Sequence, residues 1–105
     1  LPTRNARNGQ LFTTKGVVNI RNSKYIMNDN PIDDGLANYA SSNYSLGYLR
    51  HLIKTNEILG NVIASQQNLA FYKWLIDQAR EHIKKGDFKE WKNYYLSNYY
   101  SNFAQ

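Results

Sequence analysis

Hydrophobic positions along this chain change their period several times. Phe12-Thr13-Thr14 and Val17-Val18-Asn19-Ile20 are rich in β-branched and aromatic types and are separated by Lys15-Gly16. That pattern predicts two strands joined by a tight loop, because glycine takes positive φ easily. A further short strand over residues 23–26 is expected to complete an antiparallel meander. Met27 to Gly35 is broken by Asn-Asp-Asn-Pro and Asp-Asp-Gly and reads as loop. From Asn43 to Gly60 the period becomes helical. Leu46, Leu49, Leu52 and Ile53 make one apolar stripe, and Tyr44, Tyr48 and His51 make a second, turned away from the first. Two readings of the second stripe are open. Aromatic stripes at helical spacing usually lie in a core, yet tyrosine is also enriched at the centres of interfaces.

Beyond this segment a shorter helix is expected over residues 56–66, with Ile58, Leu59, Val62 and Ile63 on its apolar face. Asn68 is expected to cap the next helix, residues 69–85. There Leu69, Tyr72, Leu75, Ile76, Ala79 and Ile83 follow three-and-four spacing. Lys84 and Lys85 suit the negative end of its dipole, and Gly86 suits the position just past it. Asp87 followed by Glu90 suggests a capping box for a last helix, with Phe88, Trp91, Tyr95 and Tyr99 on its buried side. The fold class is α+β and mostly helical.

Charge changes this picture at one end. The formal net charge is +5. Residues 1–28 hold Arg4, Arg7, Lys15, Arg21 and Lys24 and no acid, whereas residues 29–105 hold eight basic and eight acidic side chains. A one-sided excess is the footprint of a polyanionic partner such as RNA, or else of a solvated loop region that lacks acids. Pro2-Thr3-Arg4-Asn5-Ala6-Arg7-Asn8-Gly9 has the residues of an irregular loop. Its two arginines can grip phosphates with forked donors. The chain has no cysteine, which excludes disulfides and thiolate metal sites. No run approaches the ~20 apolar residues needed to span a membrane, and no signal peptide is evident. A cytoplasmic location with no membrane partner is the expectation.

Three motifs in order carry a resemblance: Pro2 to Gly9; Asn43-Tyr44-Ser45 with Tyr48-Leu49-Arg50-His51-Leu52 and Asn56-Glu57-Ile58-Leu59-Gly60; and Asn68-Leu69-Ala70-Phe71-Tyr72. From Leu1 to about Tyr99 the chain resembles the C-terminal part of tRNA-guanine transglycosylase (queuine tRNA-ribosyltransferase). The resemblance implies the last piece of a (β/α)8 barrel with a small zinc-type subdomain of strand meander plus helices. Residues 1–10 would end an active-site loop, 11–67 would match the subdomain, and 68–105 would be C-terminal helices. The implied reaction exchanges guanine at the tRNA wobble position for a 7-deazaguanine base, in the queuosine pathway, with no redox cofactor. Its carboxylate nucleophile would precede Leu1, so no catalytic residue is expected here and the chain should be inactive alone. Whether to call such a chain an enzyme stays open.

By the same resemblance, Arg4 and Arg7 contact tRNA. Tyr44, Tyr48, His51, Glu57 and Ile63 lie at a homodimer interface, and the partner is a second copy or the N-terminal part of the same enzyme. The structural zinc of the resemblance uses Cys-x-Cys-x2-Cys and a histidine. Those positions fall on Leu36, Asn38, Ser41 and Gln67, none of which is a thiolate or imidazole. No zinc is therefore expected. Either Leu36 packs inward with the other three hydrogen bonded, or the site has decayed in a gene no longer under demand; His51 and His82 match no ligand position. An alternative reading is a non-catalytic RNA-binding or partner module derived from that fold.

Overall fold

The computed structural model describes Ala6 and residues 8–103, with side chains as far as Tyr99. Strand β1 (Gln10–Thr13) pairs antiparallel with β2 (Gly16–Asn19), in a register that puts Thr13 opposite Gly16 and Gln10 opposite Asn19. The connecting residues are Thr14 and Lys15, one position earlier than the pattern suggests. Gly16, at φ 134°, opens β2 instead of lying in the loop.

The third strand expected over residues 23–26 is absent. A 3-10 turn spans Ser23–Tyr25, and the Asn22 side chain accepts a 3.0 Å bond from the Lys24 N–H. Asparagine and serine offer the backbone a local partner that competes with a ladder, so the sheet stops at two strands.

Four α-helices follow among the described residues. A short α1 (Tyr39–Asn43) is capped by Asn38, whose side-chain oxygen accepts from the N–H groups of Ala40 and Ser41. Next, α2 (Leu46–Lys54) is capped by Ser45, which accepts from the Tyr48 N–H at 3.1 Å. It ends at Thr55, and Asn56 turns the chain at φ 60°, a region that asparagine tolerates better than most residues.

The following helix, α3 (Ile58–Lys85), runs 28 residues without a break, where two helices were expected. Between Asn61 and Lys85 there is no glycine or proline to stop it, and Asn68 sits in mid-helix, where it serves a neighbouring strand and not a helix start. Gly86 ends α3 at φ 80°, and α4 (Phe88–Phe103) turns back along it.

The core has two parts. Leu11, Ile20, Ile32, Ala40, Leu46, Leu49, Leu52, Ile53, Ile63 and Ala64 form one aliphatic cluster between the hairpin, α1, α2 and the first turns of α3. Gly60 allows the close crossing of α2 and α3, because a Cβ there would lie 3.0 Å from that of Leu52.

The second part is a ladder of rings between α3 and α4. Phe71 packs on Phe12, Trp74 and Tyr99, and the series continues through Tyr95 and Trp91 to His82, stacked on Trp91 at 4.9 Å. The expected inner side of α4 is thus the observed one. Among the described residues no helix is long and apolar enough to cross a membrane.

Candidate functional site

The four positions that the resemblance assigns to zinc ligands lie around one buried polar network. Asn38 Nδ2 donates to Gln67 Oε1 at 2.9 Å and to the Leu36 carbonyl at 3.0 Å. Ser41 Oγ accepts from the Asp33 N–H and donates to the Asp33 carbonyl, both at 2.8 Å. Gln67 Nε2 donates to the Phe12 carbonyl at 2.9 Å and to Asp33 Oδ2 at 3.3 Å. Leu36 is half-buried.

At the centre stands Asp33, 3% exposed, which the sequence pattern places only in a loop. Its carboxylate accepts from the Thr14 N–H, the Thr14 hydroxyl and the Gly35 N–H as well as from Gln67. Asp33 follows Pro31 and Ile32, and the buried Ile32 anchors the loop so that the next side chain points inward. The signal available in the sequence is Asp33-Asp34-Gly35, a turn motif whose first carboxylate commonly bonds nearby N–H groups.

Asn68 extends the network. Its Oδ1 accepts from the Phe12 N–H at 2.9 Å and its Nδ2 donates to the Gln10 carbonyl at 3.0 Å. With Gln67 on the Phe12 carbonyl, two consecutive amides of α3 satisfy the outer edge of β1, beside which no third strand lies among the described residues. The Asn-Leu motif is therefore a strand-edge device.

The expected interface residues divide. Tyr44 is half-buried at the junction of α1 and α2 and stacks on Tyr48 at 5.8 Å, with Tyr39 edge-on at 6.3 Å. Partial burial, with Tyr39 and Tyr48 beside it, pushes the Tyr44 phenol above its ordinary value. Tyr48 is 45% exposed and His51 is exposed. Glu57 is also exposed, at the start of α3, where no ion pair reaches it among the described residues. Ile63 departs from the expectation: it is 1% exposed and belongs to the aliphatic core, because it faces α2 from the inner side of α3.

The largest correction concerns α3. Its inner face carries Gly60, Ile63, Ala64, Gln67, Asn68 and Phe71. Of the apolar positions expected inside, Ile63 is buried and Leu75 and Ala79 are half-buried, but the others point outward instead: Ile58 (80% exposed), Leu59, Val62, Leu69, Tyr72, Ile76 and Ile83 (61%). Ile58, Val62, Ser65, Leu69, Tyr72, Ile76, Ala79 and Ile83 recur at alternating four and three residues, the seam spacing of a helix that meets another element along its length.

Arg4 and Arg7 lie outside the described residues. Of the other early basic groups, Lys15 pairs with Asp34; its hydrogen bond and charge hold that carboxyl below its usual range. Lys24 lies 5.2 Å from the Tyr25 ring centre, and Arg50 of α2 donates to the Asn22 carbonyl at 3.2 Å. Lys24 and Arg50 therefore flank one turn, a juxtaposition that sequence distance hides. His82 Nδ1 lies 2.8 Å from Asp87 Oδ1. Among the described residues no group of three or more His, Cys, Asp or Glu is arranged to hold a metal ion.

Comparison with known proteins agrees with the motifs. Residues 1–101 match the family model described as queuine tRNA-ribosyltransferase. A queuine tRNA-ribosyltransferase of Francisella tularensis subsp. novicida is 43% identical over 99 residues, covering 94% of this chain and 27% of that protein. One from Neisseria meningitidis serogroup C is 42% identical over 98 residues, covering 93% of this chain and 26% of that protein. The chain thus spans about a quarter of the length of the curated relatives it matches.

Proposed function

Since the chain belongs to the queuine tRNA-ribosyltransferase family, we propose that it works as the C-terminal portion of a tRNA-guanine transglycosylase. Such an enzyme exchanges guanine for a 7-deazaguanine base at the tRNA wobble position. In this reading the chain is the end of a (β/α)8 barrel with its small subdomain. It contributes a phosphate contact through Arg4 and Arg7 and a subunit contact through Tyr44, Tyr48, His51 and Glu57. Base exchange by double displacement needs a free carboxylate to attack the sugar. Neither Asp33 nor Asp34 meets that need, since the first is buried with both oxygens engaged and the second is paired with Lys15. In this reading the attacking carboxylate belongs to the N-terminal part of the enzyme, so the chain alone does not turn over.

The observation that carries this reading is the outward seam of α3. Six exposed apolar side chains on it, Ile58, Val62, Leu69, Tyr72, Ile76 and Ile83, interrupted by Ser65, extend far beyond a scattered surface residue or two. The chain makes up only 27% of a relative that matches it, so the seam's occupant is the N-terminal part of the enzyme.

The test is guanine exchange into tRNA, using labelled guanine, with this chain and the N-terminal part of a relative supplied as separate polypeptides. Exchange is expected only when both are present. Exchange by this chain alone, or none with both at high concentration, refutes the reading. tRNA binding without any rescue would favour a non-catalytic RNA-binding module.

A further inference from the structure

The resemblance implies a structural zinc held by three thiolates and an imidazole, and the side chains present do not fit that ion. Leu36 has no donor atom. Asn38 turns its amide nitrogen, which does not ligate metals, toward Gln67. Ser41 Oγ is held between the backbone N–H and carbonyl of a single residue, Asp33. Gln67 spends its oxygen on the Asn38 amide and its nitrogen on Phe12 and Asp33.

What the same residues do is join the pieces that the metal would join. The Asn38–Gln67 bond links residues 29 apart, the start of α1 and the middle of α3. Asp33 reaches α1 through Ser41 and adds one connection that a four-ligand centre at those positions lacks, to the hairpin loop at Thr14.

We propose that Asp33, Asn38, Ser41 and Gln67 form a hydrogen-bonded clamp that does the mechanical work of the implied zinc, so that this chain folds and holds β1, α1 and α3 together without metal. The physical grounds are complementary. A buried polar cluster with its members satisfied rigidifies a fold. A buried carboxylate is tolerated when N–H and O–H donors surround it, as four do here.

The full chain, purified from zinc-supplemented medium, is assayed for bound metal and melted with and without excess EDTA. Metal well below one equivalent and the same melting temperature in both samples are expected. Asp33→Asn sets an amide against the Thr14 or Gln67 donors and should lower the melting temperature by at least about 5 °C. Ser41→Ala removes one buried hydroxyl that bonds only the Asp33 backbone and should cause a smaller drop. If Asp33→Asn does not fold, the lowered melting of Ser41→Ala still supports the clamp. One equivalent of tightly held zinc, a fall in melting temperature with EDTA, or both variants melting with the parent would each overturn it.

Discussion

Gln67→Leu isolates the role of the buried amide with little change of volume. Gln67 is 0% exposed and makes three bonds, to the Phe12 carbonyl, to Asp33 and from Asn38. Their loss is unequal. Asn38 Nδ2 keeps the Leu36 carbonyl, and Asp33 Oδ2 keeps the Thr14 N–H at 2.8 Å. The Phe12 carbonyl loses the side chain that meets it on the open edge of β1. Leaving one such group unsatisfied costs about 1–3 kcal/mol, and the weakened bond to a charged oxygen adds to it. Leucine fills most of the space, so the cavity contribution is small. Its burial returns on the order of 1 kcal/mol. The net expectation is a loss of about 2 kcal/mol, or roughly 8–16 °C in melting temperature for a chain of this size. Urea denaturation followed by far-ultraviolet circular dichroism measures it, with an unchanged slope on denaturant. A loss below about 0.5 kcal/mol, or a gain, would refute the reasoning that Gln67 satisfies the strand edge.

Replacing Arg4 and Arg7 together by alanine should weaken tRNA binding and flatten the logarithmic salt dependence by a slope of about 2, measured by filter binding at several salt concentrations; unchanged affinity at low salt would remove the phosphate role. Tyr48→Ala should reduce self-association in sedimentation while helicity is kept, and melting of the helix instead would show that Tyr48 is a core residue. Burial, with the Asp33 charge adding to it, pushes the Tyr95 phenol up to about 12 from an ordinary 10.0. The unfolded chain therefore releases this proton first as pH rises, and stability present below pH 10 declines toward pH 12. Ultraviolet titration of the phenolates should show a late-titrating tyrosine that Tyr95→Phe removes; its absence would contradict the buried position.

Local rules make several elements legible. The hairpin follows from two β-branched runs around Gly16, the end of α3 from Lys84-Lys85-Gly86, and the inner side of α4 from its ring spacing. Motif residues that carry the resemblance also have physical reasons of their own: Ser45 caps α2, Asn56 takes positive φ, and Gly60 permits a helix crossing.

Two things are not legible, for a shared reason. Periodicity reports which side of a helix is apolar, and burial is inferred from it. In α3 the apolar seam faces outward, while the inner face carries two amides, Gln67 and Asn68. Polar groups are buried there because β1 leaves an unpaired edge that must be satisfied. That demand arises from a strand more than fifty residues away, which no window along α3 contains. The role of Asp33 is hidden likewise, since three of its four donors come from the hairpin and from α3.

The central claim is that the outward seam of α3 is covered by the rest of the enzyme. The direct measurement is sedimentation of this chain mixed with the N-terminal part of a relative, comparing the parent with Leu69→Asp combined with Ile76→Asp. Both side chains are exposed, so the isolated double variant should keep its helicity. A complex is expected with the parent and should weaken at least about tenfold with the double variant, because each change places a charge in an apolar contact. Equal binding by the two would contradict the claim.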